Sequence, residues 1–162
     1  MKNVTIITDG SCLNNGRKGA YGGWASILKY GTHRKEIYGS GKDTTNNRME
    51  LMAVLEGAKA LTLPCEILVV TDSTYVCGVL EKLPKLADNN WYCSWNNHPK
   101  NLELIQNLWQ VLSDGKHTIK FQHIKGHSGD PENERADALA TSAAKALKAM
   151  EELAEVADAS EE

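Results

Sequence analysis

A chain of 162 residues, 41% hydrophobic and 24% charged, is long enough to bury one core and too short for two, so a single domain is expected. Its longest apolar stretches, residues 4–7 and 67–70, are strand-sized; this argues against a membrane span, and with no signal-like amino terminus the expectation is a cytoplasmic monomer. The formal charge is −3, but residues 151–162 hold six acids and no base, and without them 18 bases face 15 acids, a balance of +3 that permits a modestly positive face toward a phosphate backbone.

Three β-rich segments come first. Residues 4–8 and 21–30 are separated by a Gly-rich turn, and residues 33–40 follow across Gly31-Thr32, a hairpin link, so an antiparallel meander is expected. In residues 47–61 the apolar positions Leu51, Val54, Leu55, Ala58 and Leu61 recur at helical spacing until Pro64. Residues 67–71 form a short, continuously apolar run, the pattern of a strand covered on both faces. Residues 73–80 suggest a short helix, and the polar, aromatic stretch up to Pro99 reads as irregular.

Residues 102–112 have helical periodicity and residues 117–124 alternate like a strand. Residues 131–150 form a helix with Asp130 at its N-cap and Pro131 in its first position. The order βββαβααβα implies an α/β fold, a mixed sheet with helices packed against it. The folded domain is taken as residues 1–150, and 151–162 as an acidic tail, either a frayed helix end or disordered. Cys12, Cys65, Cys77 and Cys93 lack C-x-x-C spacing, which favours reduced thiols over disulfides or zinc.

Two apolar strands end alike, in Thr8-Asp9-Gly10-Ser11 and Thr71-Asp72-Ser73-Thr74. Side by side, such strands bring their carboxylates to one rim of the sheet, where open α/β sheets bind ligands; the plainer alternative is that each Asp caps its own turn. Glu50 opens the first long helix on the flank turned toward the sheet. It needs a partner: a salt bridge to Arg48, the favourable field of the helix's first turn, or a cation shared with Asp9 and Asp72. Buried like charges repel unless something positive lies between them, and magnesium held by carboxylate oxygens and water is the ordinary solution. Asp137 lies in the last helix, behind the Gly-bracketed run Lys125-Gly126-His127-Ser128-Gly129. Glycines on both sides of His127 suit a loop whose side chain exchanges protons or helps a product leave.

Five runs, Thr8-Asp9-Gly10-Ser11-Cys12, Thr44-Thr45-Asn46-Asn47-Arg48-Met49-Glu50-Leu51, Thr71-Asp72-Ser73, Lys125-Gly126-His127-Ser128-Gly129 and Pro131-Glu132-Asn133-Glu134-Arg135-Ala136-Asp137, occur in this order. Together they resemble type 1 ribonuclease H over residues 1–147. The resemblance implies a ribonuclease H-like fold with a five-stranded mixed sheet, and an endonuclease that hydrolyses the RNA strand of RNA–DNA hybrids, leaving 5′-phosphate and 3′-hydroxyl ends.

It further implies two Mg2+ ions, for which Mn2+ substitutes, and no small-molecule cofactor. By the same resemblance Asp9 bridges both ions, Asp137 completes the one that activates water, Glu50 and Asp72 complete the one that steadies the leaving oxygen, and His127 assists proton transfer or product release. Gly10, Ser11, Cys12, Asn46 and Asn47 match the part of the family site that senses the 2′-hydroxyl. Asn15 and Thr45 match positions that meet the DNA strand. A resolvase- or integrase-like nuclease and a non-catalytic hybrid-binding module are the competing readings. The first is disfavoured by the Thr-Thr-Asn-Asn-Arg-Met-Glu run, the second by the presence of all four acids and the histidine.

The chain departs from the family pattern at three places. Asn14-Asn15-Gly16-Arg17-Lys18 replaces a Gly-Asn-Pro-Gly stretch, with Arg17 and Lys18 as added phosphate contacts. Thr74 replaces a frequent Gln. Residues 83–100 replace a strongly basic, Trp-bearing handle, leaving Lys82, Lys85, His98 and Lys100 as scattered cations and implying weaker, less salt-sensitive hybrid binding. Trp91, Tyr92 and Trp95 either stack on sugars or bases or, in their commoner use, seal the space beneath the loop.

Overall fold

The computed structural model describes residues 1–15 and 19–161; Arg17 and Lys18 lie outside them. Five strands, β1 (Lys2–Leu13), β2 (Tyr21–Tyr30), β3 (His33–Lys42), β4 (Cys65–Thr71) and β5 (Thr118–His123), form one sheet in the order β3-β2-β1-β4-β5. The meander β1-β2-β3 is antiparallel and β4 and β5 add in parallel beside β1, so the sheet is mixed as expected. Tyr30 pairs with His33 across Gly31-Thr32, and Gly31 holds a φ of +57°, a conformation glycine adopts without steric cost.

Alternation along the central strands divides the core between the two faces. Ile6, Ile67 and Val69 turn to one face, where they meet Leu51, Val54 and Leu55 of α1 (Asn46–Lys59), Val76, Leu80 and Leu83 of α2 (Thr74–Asp88), and Ile105 and Leu108 of α3 (Leu102–Asp114). Ile7, Ala25 and Ile27 turn to the other face, where Ala136 and Ala140 of α4 (Pro131–Glu161) cover them. Small residues let α4 lie close: a side chain on Gly23 would collide with the Ala140 carbonyl.

Two helices outrun their sequence signal. The helix expected over residues 73–80 continues to Asp88 through Pro84. Proline costs a helix interior about 3 kcal/mol, but Leu83 just before it and Leu86 just after it are buried, and each contributes roughly 1.5–3 kcal/mol. The last helix runs through the acidic segment to Glu161. Lys42 on β3 pairs with Glu151 at 3.1 Å, and past that contact Leu153 and Val156 are exposed. The four cysteines are free thiols.

The aromatic segment behaves in two ways. Trp91 packs edge-on against Trp109 with ring centroids 6.5 Å apart, and Tyr92 stacks on His98 at 4.2 Å. Trp95 seals nothing, being 95% exposed.

Candidate active site

Parallel pairing of β1 with β4 stops at Ile7↔Val70, and two residues further along both chains stand Asp9 and Asp72. They do not end their strands alike: β4 stops at Thr71, whereas β1 continues to Leu13 against β2. Asp9 is therefore held in a ladder, while Asp72 sits in the turn before α2, where Ser73 Oγ accepts from the Val76 amide.

Glu50 reaches the same rim from the first turns of α1. Thr45 caps that helix, its hydroxyl oxygen accepting from the Arg48 amide at 3.2 Å. Asn15 holds the helix start, its side-chain oxygen accepting from the Asn46 amide at 2.8 Å. Arg48 does not pair with Glu50: it meets Glu103 at 2.6 Å and Asn101 at 3.2 Å, and Asn101 donates to the Tyr75 hydroxyl at 2.9 Å. This chain joins the starts of α1, α2 and α3 beside the rim.

Asp9, Glu50 and Asp72 each place a carboxylate oxygen so that all lie within 4.8 Å of one another. Asp137 of α4 and His127 line the same open cleft of about 400 Å3, with Gly10, Ser11, Cys12, Asn46, Asn47, Ser73, Thr74 and Tyr75. Of the residues singled out from sequence, Asn15 and Thr45 stand beside the cleft rather than in it, with their side-chain oxygens engaged in holding α1. Ser73, although part of the Thr71-Asp72-Ser73 run, is not singled out from sequence as a site residue, and neither is Tyr75. Ser73 adjoins Asp72 in the chain, but Tyr75 carries no local signal, since only the bend into α2 brings it to the cleft.

His127 is exposed and itself left-handed, with φ of +56°, in a loop braced by the Ser128 hydroxyl donating to the Lys125 carbonyl at 2.7 Å. Asp130 starts α4 by accepting from the amides of Glu132 and Asn133, both at 3.0 Å. The next turn is tied to β3 by ion pairs. Arg34 bridges Glu36 and Glu132 at 2.8 and 2.9 Å, and Arg135 meets Glu36 at 2.8 Å. Hydrogen bonds from Arg135 and Arg34 hold the Glu36 carboxyl well below the usual carboxylate range.

The electrostatics of the rim are unbalanced. Burial, and then the neighbouring Asp72 carboxylate, push the pKa of Asp9 up; burial, and then Asp9, push that of Glu50 up further. Glu50 Oε2 is buried without a hydrogen-bond partner. No lysine or arginine lines the cleft among the described residues. Oxygen donors alone, crowded and uncompensated, are the set that a hard divalent cation prefers, so the residues present fit such an ion. Bound there, it supplies the missing positive charge.

A model of the RNase H family matches residues 1–145. Ribonuclease H from Hahella chejuensis is 47% identical over 143 residues, covering 86% of this chain and 92% of that protein. Ribonuclease H from Oleidesulfovibrio alaskensis is 45% identical over 142 residues, covering 86% and 89%. Among solved structures, LC9-RNase H1, a type 1 RNase H with the type 2 active-site motif, superposes with a TM-score of 0.77 at 30% identity, covering 90% of this chain and 74% of that one. With a family match over nearly its whole length, and relatives matched across most of theirs, the chain belongs to the RNase H family.

Proposed function

We propose that this protein is an endonuclease that hydrolyses the RNA strand of RNA–DNA hybrids with Mg2+ held by Asp9, Glu50, Asp72 and Asp137. The observation that carries the reading is the convergence of these acids, one with a buried and unpartnered oxygen, in a cleft open enough for a polyanion and lined, among the described residues, by no lysine or arginine. A phosphodiester approaching four carboxylates is repelled unless cations intervene. Divalent ions held by Asp9, Glu50, Asp72 and Asp137 would supply the positive charge that admits the phosphate and acidifies an attacking water.

The protein's own groups do the rest. Asp9, rigid in the β1–β2 ladder, is the central charge; Glu50 approaches it from α1, Asp72 from the turn after β4, and Asp137 from α4. His127, on an exposed loop at the cleft edge, is suited to accept or return a proton as the strands part. Gly10, Ser11, Cys12, Asn46 and Asn47 offer small side chains and main-chain groups to the 2′-hydroxyl, which both donates and accepts. Asn15 and Thr45 secure the start of α1 and from there flank the path of the DNA strand. Cleavage leaves 5′-phosphate and 3′-hydroxyl ends, and Mn2+ replaces Mg2+. Residues 1–150 form the catalytic unit, working as a monomer in the cytoplasm.

Incubation with labelled RNA–DNA hybrid, RNA duplex and DNA duplex, each with Mg2+ or chelator, tests the reading. Hybrid cut only with metal supports it. Cleavage of DNA points instead to another nuclease activity, and hybrid binding without cleavage to a non-catalytic module.

A further inference from the structure

Three contacts converge on the end of β4 from the segment that closes β5. The Ile124 amide donates to the Thr71 carbonyl at 2.9 Å, just past the final Thr71↔His123 pair. The His123 ring stands with Nε2 3.2 Å from the Asp72 carbonyl oxygen; since a carbonyl only accepts, Nε2 is the donor. A methyl group on Gly126 would lie 2.9 Å from Asp72 Oδ2 and 3.5 Å from both Cβ and Cγ of Asp72.

The glycines that bracket His127 are thus there for different reasons. Gly129 holds a φ of +92° with open space where a side chain would project, so it serves the backbone turn. Gly126 is not among the positive-φ residues, so its main chain admits any side chain. What stands in the way is the Asp72 side chain, which supplies all three nearest atoms, a carboxylate oxygen the closest.

We propose that Gly126 and His123 are positioning residues for Asp72: the bare main chain of Gly126 leaves room for the carboxylate facing Asp9 and Glu50, while His123 holds the peptide that carries it. The inference rests on the metal-binding reading above. The ladder and the Ile124–Thr71 bond hold both backbones, so a methyl on Gly126 displaces the free end of the Asp72 side chain, not the strand. A displacement of a few tenths of an ångström matters because Mg2+ demands near-ideal octahedral geometry from its ligands.

The test is an NMR titration with Mg2+ alone, following the Asp9, Gly10 and Asp72 amides in the wild type, Gly126→Ala, His123→Phe, Asp72→Ala, and each of the first two variants combined with Asp72→Ala. Thermal melting monitors the fold. Gly126→Ala is expected to raise the Mg2+ midpoint about tenfold, the scale of losing a group that orients a metal ligand. His123→Phe raises it by less, and neither change adds anything in the Asp72→Ala background, an interaction that a general loss of stability does not produce.

An unchanged midpoint in Gly126→Ala, or an equal loss with and without Asp72, overturns the inference while leaving the metal reading intact. Wild-type amides that fail to respond to Mg2+ overturn both. Should Gly126→Ala not fold, His123→Phe decides alone: a raised midpoint that vanishes in the Asp72→Ala background supports the inference, and an unchanged one overturns it.

Discussion

Gly10 on β1 lies against the main chain of Glu50 on α1: a side chain at Gly10 would overlap the Glu50 amide and stand 2.7 Å from the Met49 carbonyl carbon. The obstacle is backbone and cannot swing aside, so the strand carrying Asp9 and the helix carrying Glu50 approach this closely only because residue 10 has no Cβ. Gly10→Ala is expected to push α1 outward and separate the two carboxylates. Overpacking of this kind costs about 1–3 kcal/mol, or roughly 2–4 °C in Tm per kcal/mol for a chain of this size. Calorimetry should show that modest shift beside a much larger loss of hybrid cleavage; full activity would sink the positional role of Gly10.

Asp9→Asn keeps the shape of the side chain and removes the central charge. Cleavage is expected to fall at least about 10^3-fold, the upper range for removing one charge-stabilising group, while the fold survives. Turnover measured beside melting separates the two effects, and appreciable remaining activity refutes the role given to Asp9.

His127→Ala leaves the carboxylates in place. Loss of a proton-transferring group costs about 10^2-fold or more, so slowed but measurable turnover is expected under saturating hybrid. Wild-type kcat in this variant contradicts any part for the ring in turnover.

The raised pKa values of Asp9 and Glu50 make a thermodynamic prediction for the metal-free protein. A carboxyl whose folded pKa exceeds its unfolded value binds its proton more tightly in the native state, so stability is highest below the unfolded value and falls as pH rises through the folded one. Glu50→Gln removes that penalty. In chelator its Tm is expected to exceed that of the wild type near neutral pH, by about 2–4 °C per kcal/mol recovered, with the advantage shrinking toward about pH 4, where the carboxyl is protonated in both states. Mg2+ should raise the wild-type Tm by more than that of Glu50→Gln. Equal melting at all pH values would contradict the crowding of uncompensated charge.

Ending the chain after Met150 removes six acids and, among the described residues, two exposed ion pairs, Lys42–Glu151 and Lys148–Glu152, but none of the core residues. The shortened protein is expected to melt close to the full chain. It should bind hybrid more tightly at low salt, with the difference closing as ionic strength rises. Fluorescence anisotropy across a salt series reads this, and identical affinities at every salt concentration rule out electrostatic opposition by the tail.

The sequence alone carried the element order, the two-residue hairpin at Gly31-Thr32, the cap at Asp130 and the four acids, because each is written in local periodicity or in a motif of fixed spacing. It also marked Glu50 as facing the sheet, since helical spacing sets a residue's face. Where α2 ends was not legible: Pro84 is a local stop signal, overruled by the burial of Leu83 and Leu86 against distant partners. The pairing of Arg48 with Glu103 in place of Glu50, the entry of Tyr75 into the cleft and the separate reasons for Gly126 and Gly129 depend on segments far apart in the chain. Such contacts belong to the packed molecule, because which atoms crowd a glycine or answer a charge is decided by neighbours that sequence distance does not reveal.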